Sequence, residues 1–512
     1  MARPPKVPRP VDDGPDERLE QPAARVPRTV LAADGTPMGV GGGLFLNLLI
    51  KPFWLLGIDR AVQNATGAVE YGAYYALFNF SFLFNILLDL GITNFNNRNI
   101  SQNRHLLDKH LSGIIMLRIA LAGLYFLFSL GASVIIGYSA LQIQMLIMLL
   151  LNQVLVSFIL YLRSNLAGLH LFKTDSVISV LDRTIMIAFC AALLWGNVTS
   201  QPFQIEWFVW AQTVAYIITV IITLLLLNRK ATFSRLSWNK LFFLMILKQS
   251  YPFAILFLLM TFYNRIDSVM IERLLPNGSQ EAGIYAQAYR LLDAANMIAF
   301  LFAGLLLPMF AHMLKKKENI RDLLRLAYSL LAVPAVMLAS IAISFRKEIM
   351  DLLYKEHVAE SATVFAILMC CFFAISTTYI YGTLLTANGN LRQLNIMALA
   401  GMVLNIVLNL ILIPRYFAKG AAIASLTTQF ITAFIQVLLC YRIFKLEPNI
   451  NLILRFLIFT IATLSLTFMV GTSGIEWKTG VLISVGIGLS ISFILKLISI
   501  KSMLVIVRNG DR

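Results

Sequence analysis

Charged residues are scarce in this chain, and no part of it has the composition of a soluble domain. Only 13% of the 512 residues are charged and 58% are hydrophobic, a balance that a soluble chain of this length would not carry. After residue 40 no polar segment is long enough to fold by itself. Any function must therefore lie within apolar helices, which argues against a soluble enzyme.

Motifs for catalysis and metal binding are also missing. The five histidines form no HExxH or triad-like group, and no Walker A sequence is present, so direct use of ATP is not expected. The four cysteines have neither CxxC nor zinc-ligand spacing, and we interpret them as small buried apolar residues. We therefore predict no catalytic residue, no metal site and no bound cofactor.

What the chain does contain is about fourteen apolar stretches of roughly 18–25 residues, each long enough to cross a ~30 Å hydrocarbon core. The sequence therefore predicts an all-α polytopic membrane protein. The predicted spans are 40–57, 72–92, 112–136, 139–162, 176–196, 206–228, 241–271, 282–314, 323–345, 360–386, 393–414, 420–441, 452–471 and 479–500.

The formal charge of +16 would indicate a nucleic-acid partner in a soluble protein, but its distribution indicates membrane topology. With the N-terminus inside, twenty-three lysines and arginines fall in inside segments and eight in outside loops, leaving aside the N-terminal tail. A Lys/Arg excess in short loops marks the cytoplasmic side. We predict that both termini are cytoplasmic and that the protein binds no nucleic acid.

The first 38 residues differ in composition from all that follows. They hold eight of the sixteen prolines, charges of both signs and few large apolar residues. Such a segment buries too little surface to offset its ordering entropy. It also lacks the apolar core of a signal peptide. We predict a disordered, Pro-rich cytoplasmic tail over 1–38.

An internal repeat emerges when the chain is shifted against itself by 211 positions. Glu-x-Gly-x-Tyr at 70–74 aligns with the same pattern at 281–285, and two further pairs match: Gly67 with Gly278, Asn85 with Asn296. An even number of helices per repeat gives two parallel lobes with a site between them. We predict six-helix lobes at 39–230 and 241–445, two additional transmembrane helices at 451–500 and a short basic tail at 501–512.

Several polar side chains lie at membrane depth, where a charge at a helix centre costs at least ~2.5–3.5 kcal/mol on insertion scales. They include Asn85 and Asp89, Arg118, Asp182 with Arg183, Asn264 with Arg265 and Asp267, and Gln287 with Arg290 and Asp293. Asp182 with Arg183, and Arg290 with Asp293, are equally well interpreted as structural pairs. Lys51, Asp89 and Arg163 lie near enough to predicted helix ends to reach the interface.

Two segments carry a family resemblance. NRIDSVMI at 264–271 with EAGIYAQA at 281–288, and LN-x3-NL-x-LIP at 404–414 with GAAIAS at 420–425, resemble polysaccharide exporters. Together with the fourteen spans, the chain is similar to O-antigen and capsule flippases of the MOP (multidrug/oligosaccharidyl-lipid/polysaccharide) exporter superfamily. The resemblance covers about residues 40–500.

The resemblance implies a function: transfer of undecaprenyl-pyrophosphate-linked oligosaccharide from the cytoplasmic to the outer leaflet of a bacterial inner membrane. It implies ion-coupled alternating access, driven by an H⁺ or Na⁺ gradient. Membrane lipids and other polysaccharide-assembly proteins are the further expected partners. Guanidinium groups bind phosphates bidentately, so the candidate pyrophosphate ligands are Arg265, Arg290 and Arg118. Candidate polar substrate contacts are Asn264, Gln287 and Asn85, and candidate ion-coupling carboxylates are Asp267 and then Asp89.

Two other functions stay open at this point. The first is export of a peptidoglycan precursor or of drugs by the same fold, although Arg265 and Arg290 weigh against cation efflux. The second is a membrane glycosyltransferase or ligase, which would need a substantial outer loop to hold its acceptor. The longest outside connection, around 346–359, is barely a dozen residues. The sugar, the coupling ion and the oligomeric state are not determined by the sequence.

Overall fold

The computed structural model describes residues 40–93, 96, 100, 106–196, 198–229 and 240–498. The predicted tails 1–38 and 501–512 lie outside the described residues, and they stay predictions. The described residues form helices and short turns, with no β-strand among them. This follows from the solvent, because in hydrocarbon a helix satisfies the hydrogen bonds of its own backbone.

The α-helices are numbered here in chain order through the described residues. A π-helical turn, Trp54–Asp59, joins α1 to α2, and a 3-10 turn, Asn85–Leu88, follows α2. The helices are α1 (Val40–Phe53), α2 (Arg60–Leu83), α3 (Leu106–Ile136), α4 (Ala140–Gly168), α5 (Phe172–Trp195), α6 (Ile205–Asn228), α7 (Lys240–Leu274), α8 (Gly278–Lys316), α9 (Arg321–Ser344), α10 (Arg346–Leu353), α11 (Val358–Ala387), α12 (Leu391–Ile443), α13 (Ile450–Thr472) and α14 (Trp477–Ile494).

The number of membrane crossings agrees with the predicted fourteen. Among the described residues, 11 helices are long and apolar enough to cross a membrane. One of them, α12, has 53 residues, which would reach ~80 Å if straight, but it breaks at Phe417 (φ 55°) and so crosses twice. The run from Val40 to Leu83 bends at Gly67 (φ 79°) into two further helical segments, at the places of the first two predicted spans. The prediction of an all-α polytopic protein is confirmed.

Both helix breaks are capped by a carboxylate from another helix or loop. The backbone N–H of Ala68, directly after the Gly67 bend, donates to Oε2 of Glu356 at 3.2 Å. The backbone N–H of Ala418, directly after Phe417, donates to Oε2 of Glu281 at 3.1 Å. A broken helix leaves such N–H groups without partners, and an ionised acceptor is a strong replacement. The bends are therefore held by tertiary contacts.

The first membrane helix is longer than its predicted span of 40–57. The chain stays helical to Gly67, so Asp59 and Arg60 belong to the helix and not to an outside loop. The prediction ended early because these residues and the following Gln63 lower the local hydropathy. The side chains of Asp59 and Gln63 are each 2% exposed, which a membrane helix tolerates because both have partners in later helices.

Packing between the helices puts α8 at the centre of the molecule. It lies against α2, α7 and α11, while α11 also packs on α9 and α12. Among the N-terminal helices, α1 packs on α5 and α4 packs on α6. The last two helices, α13 and α14, pack on each other and on α9. Contacts of α2 with α7 and α8 join the helices before residue 230 to those after residue 240.

Candidate functional site

A cavity of about 1040 Å³ lies between these two sets of helices. Its walls come from α1, the π-turn, α2, α4, α5 and α6 on one side, and from α7, α8, α9 and α11 on the other. A second cavity of about 370 Å³ adjoins it. The residues that line both are Phe82, Arg265, Asp293, Asn296 and Tyr379.

The larger cavity has an excess of positive charge in its walls. Five basic and three acidic side chains line it, which leaves a formal surplus of two positive charges. Charges away from water are costly unless they are paired, so the pairing pattern tells which of them are free to meet a ligand. The charged lining residues are Lys51, Arg163, Arg183, Arg265, Arg290, Asp59, Asp175 and Asp293.

Arg265 of α7 lies where the two cavities meet. Its two terminal nitrogens donate to the two carboxylate oxygens of Asp293 at 3.1 and 3.2 Å, the bidentate geometry that matches guanidinium to carboxylate. Its guanidinium also lies 5.4 Å from the ring centroid of Tyr289. The side chain is 25% exposed. Arg265 can therefore meet a ligand, but a bound anion would have to compete with Asp293.

Arg290 of α8 forms a more deeply buried pair. Its Nε lies 2.8 Å from Oδ2 of Asp59 in the π-turn, and the hydroxyl of Tyr71 donates to the same carboxylate at 2.7 Å. Asp293 is a second and more distant partner, 3.8 Å away. The predicted pairing of Arg290 with Asp293 is therefore present, but Asp59 is the closer carboxylate. Alternating charges thus run across the cavity through Arg265, Asp293, Arg290 and Asp59.

Asp267, the first candidate for ion coupling, is 1% exposed and lies behind the cavity wall. Its carboxylate accepts hydrogen bonds from four uncharged groups. They are the hydroxyl of Tyr285 (2.8 Å), the amides of Asn405 (3.2 Å) and Asn409 (2.7 Å), and the hydroxyl of Ser425. These donors come from the segments that carry the family resemblance, so the two separate motifs meet at one carboxylate.

The three candidate polar contacts are spread over the molecule. Asn264 lines the smaller cavity and accepts from the amide of Gln429 at 2.7 Å. Asn85 donates to Oε1 of Gln153 at 2.6 Å. Gln287 donates to the backbone carbonyl of Glu356 at 3.2 Å. Only Asn264 is among the residues that line the two cavities.

Arg118 and Asp89, two further candidates, form an ion pair with each other. Arg118 also donates to the hydroxyls of Thr93 at 2.7 Å and Ser157 at 2.8 Å, and it is 5% exposed. Neither residue of the pair is among those that line the two cavities. The structure therefore brings Arg265, Arg290 and Asn264 together and places Arg118 with Asp89 elsewhere.

Sequence reasoning missed five charged residues of the cavity wall: Lys51, Asp59, Arg163, Asp175 and Arg183. Asp59 was assigned to a loop, while Lys51, Arg163 and Arg183 were interpreted as interfacial or structurally paired residues. The sequence could have indicated Asp59 and Lys51 as a pair. They lie eight residues apart, which is about two helical turns, so in a continuous helix they share one face.

The cavity is closed at the end where α8 begins. Gln63 donates to the carbonyl of Gly283 at 3.0 Å, and Asn64 donates to the carbonyl of Leu353 at 2.8 Å. Glu356 caps Ala68 from the same side. These bonds join α2 to α8 and to the α10–α11 connection. Because the positive-inside count places this end outside, the cavity is closed toward the predicted outer face.

Comparisons with known proteins agree with this arrangement. Residues 61–314 match a family model described as polysaccharide biosynthesis protein. The lipid II flippase MurJ, in an inward closed conformation, superimposes with a TM-score of 0.64 at 16% identity, covering 88% of this chain and 98% of MurJ. No curated protein matches the chain by sequence.

Two MATE transporter structures also share the fold. An inward-facing MATE family transporter of the MOP superfamily gives a TM-score of 0.56 at 13% identity, covering 80% of this chain and 96% of that one. A MATE transporter of Vibrio cholerae gives 0.53 at 15% identity, with 79% and 95% covered. At 13–16% identity these are likenesses of fold, and the chain has the fold of these flippase and transporter structures.

Proposed function

We propose that this protein moves an oligosaccharide repeat unit, linked to undecaprenyl pyrophosphate, from the cytoplasmic to the outer leaflet of a bacterial inner membrane. The product would serve O-antigen, capsule or other surface polysaccharide synthesis. The observation that carries the proposal is the cavity of about 1040 Å³ with five basic and three acidic side chains in its wall. An anionic, polar headgroup is the ligand that such a cavity favours.

The physical problem in this transfer is desolvation of the sugar. Each hydroxyl that enters hydrocarbon without a hydrogen-bond partner costs roughly 0.5–2 kcal/mol or more. A polar cavity between helices removes that cost while the lipid chain stays in the bilayer. Three aromatic rings of α2, those of Tyr74, Phe78 and Phe82, follow one another at four-residue spacing along the cavity wall. They offer flat apolar surfaces to the C–H faces of sugar rings.

Ion coupling is the second part of the proposal, with Asp267 as the coupling carboxylate. Four uncharged donors from α8 and α12 surround it, so a proton or a bound cation would change its charge state without breaking an ion pair. Arg265 lies two residues away on α7 and reaches the substrate cavity. A change at Asp267 would therefore reach the cavity through α7 and α8, as alternating access requires.

Export of a peptidoglycan precursor is the second candidate, since a diphosphate-linked headgroup would meet the same basic lining. The likeness to MurJ is a likeness of fold alone at 16% identity. Multidrug export is less well supported because the cavity has a surplus of positive charge, which disfavours cationic drugs.

A deletion strain tests the proposal. We expect loss of surface polysaccharide and accumulation of lipid-linked repeat units on the cytoplasmic leaflet, both restored by the gene supplied in trans. Conditional depletion of the cell's lipid II flippase provides the contrast. Rescue of growth by this protein in that strain, with unchanged surface polysaccharide after its own deletion, would favour the peptidoglycan precursor and contradict the proposal.

A further inference from the structure

Pairing among the charged residues that line the cavity leaves two cations, Lys51 and Arg183, without a partner carboxylate from the lining. Arg163 binds both oxygens of Asp175 at 2.7 and 3.3 Å. Arg265 is paired with Asp293 and Arg290 with Asp59, as described above. The two remaining basic residues of the lining are Lys51 and Arg183, and the carboxylate nearest to Arg183 is that of Asp182, which does not line the cavity.

Lys51 of α1 forms no ion pair within the part of the chain that the structure describes. Trp54 lies three residues further on, so the two side chains share a helix face, and both line the cavity. The guanidinium of Arg183, on the neighbouring helix α5, lies 5.6 Å from the ring centroid of Trp54. Lys51 and Arg183 therefore lie on neighbouring helices that line the same cavity.

Arg183 has only weak compensation for its charge. The carboxylate of Asp182 is 3.9 Å from its Nε, and the hydroxyl of Tyr216 is 3.3 Å from one terminal nitrogen. The side chain is 27% exposed. One helical turn before the two cations, Asn47 donates to Ser179 at 2.7 Å and so fixes α1 against α5. The two cations are thus held on adjacent, registered helices with their charge available.

We propose that Lys51 and Arg183 form the binding site for the diphosphate group of an amphiphilic diphosphate diester. Such a diester carries two negative charges, and Lys51 and Arg183 with the one carboxylate of Asp182 leave this wall net positive. A guanidinium binds phosphate oxygens through a fork, and an ammonium binds them as a point charge. The site deepens the proposed function and rests on it, because it assigns the diphosphate to α1 and α5 and leaves Arg265 and Arg290 to their carboxylates.

The same cavity also offers contacts for the other parts of the ligand. The aromatic face of α2, with Tyr74, Phe78 and Phe82, lines the same cavity, where a sugar attached to the diphosphate can extend. Leu55, Leu56 and Ile298 also line the cavity and are suited to the first isoprene units. One cavity then offers groups for the charge, the sugar and the lipid.

Binding to the purified full-length protein in lipid nanodiscs tests the site. The probes are farnesyl-diphospho-N-acetylglucosamine, the corresponding farnesyl glycoside without phosphate, and inorganic diphosphate. We expect Lys51→Met and Arg183→Gln each to weaken binding of the diphospho probe by about tenfold or more, the size of a lost charged contact. Binding of the glycoside should not change, and Lys51→Arg should retain most of the affinity.

Lys478→Met is the matched control. Lys478 is exposed at the start of α14 and lies 5.9 Å from the ring centroid of Trp477, so the variant removes a lysine beside a tryptophan outside the cavity. It should bind the diphospho probe as the wild type does. Salt should weaken probe binding in the wild type more than in Lys51→Met, because the lost contact is electrostatic.

Three results would overturn the site. Equal affinity of wild type, Lys51→Met and Arg183→Gln for the diphospho probe would exclude it, while surface export could still depend on the protein. Equal losses for probe and glycoside, together with a lower melting temperature, would show a structural role for the two cations. Binding of inorganic diphosphate as tight as that of the probe would exclude an amphiphilic ligand. Failure of the wild type to bind any diphosphate would count against the proposed function itself.

Discussion

Gly72 of α2 packs against α8 beside Gly283. Gly283 is the equivalent of Gly72 in the second repeat. A Cβ atom on Gly72 would lie 1.8 Å from the carbonyl oxygen of Ser279, and one on Gly283 would lie 2.0 Å from that of Ala68. Ser279 and Ala68 are themselves 211 positions apart. The contact is therefore reciprocal, as in an interface around a two-fold axis, and the two halves of the repeat meet through their shared motif.

This contact leads to a prediction for Gly72→Ala. The new methyl group cannot fit between α2 and α8, and overpacking of this kind costs ~1–3 kcal/mol. This cost destabilises the state that is closed at this end. We therefore expect the equilibrium between the closed and the outward-open state to shift toward the outward-open state by about fivefold or more. In a background lacking the native cysteines, Ala294→Cys in the cavity should then react faster with an impermeant thiol reagent applied from outside.

Gly304→Ala is the control for that experiment. It makes the same change on α8, where nothing lies within 4 Å of the added Cβ. We expect its labelling rate to equal that of the parent. An unchanged rate in Gly72→Ala as well would show that α2 and α8 do not separate during transport.

Asp267→Asn tests ion coupling. The four uncharged donors around the carboxylate can rearrange around an amide of the same shape, so we expect the protein to fold and to bind substrate. Transport should lose most of its dependence on the ion gradient, measured as uptake of a diphospholipid probe into proteoliposomes with and without an imposed gradient. Transport that still follows the gradient as in the wild type would assign coupling to another residue.

Arg265 and Asp293 provide a test of ligand binding against structural pairing. Arg265→Lys keeps the charge but loses the fork to Asp293, so we expect a moderate loss of export. Arg265→Ala removes the bidentate partner of Asp293 and leaves it only the more distant Arg290, 3.8 Å away, so it should lower the melting temperature. Arg265→Ala with Asp293→Ala should restore the melting temperature. Restored export in that double variant would show that Arg265 is needed only for stability.

Arg118 was predicted as a third phosphate ligand, and its pairing with Asp89 away from the cavities gives a different expectation. Arg118→Lys should lower the protein level through loss of its bonds to Ser157 and Thr93, with export reduced in proportion. Quantitative blotting beside a surface-polysaccharide assay measures both. A loss of export at normal protein level would instead support the role of a ligand.

The orientation in the membrane is tested by labelling single cysteines. The positive-inside count puts Lys316 in the cytoplasm and the turn before α8 outside. Asn277 is the better outer position because it is exposed, whereas Ser279 contacts Gly72. In cells with a permeabilised outer barrier, Asn277→Cys should react with an impermeant reagent and Lys316→Cys should not. The opposite result would invert the topology and place the closed end of the cavity in the cytoplasm.

Hydropathy alone determined the class of this protein, because every crossing must satisfy its backbone and present apolar side chains over ~30 Å. The repeat at 211 positions and the two family motifs were also visible, and they led to Asp267 and Arg265 before any contact was known. These features are local or periodic along the chain, which is why sequence reasoning reached them.

Only the tertiary structure decided which charges neutralise one another. Arg290 has Asp293 three residues away, yet its closest carboxylate is Asp59, 231 positions earlier. Asp59 was assigned to a loop because polar residues lower the local hydropathy and so end a predicted span. Hydropathy does not show whether a distant helix supplies a partner for such a residue. The same limit concealed Lys51 and Arg183, since a surplus of charge is defined only after every other ion pair has formed. Helix packing brings those partners together, and it depends on side chains far apart in the chain.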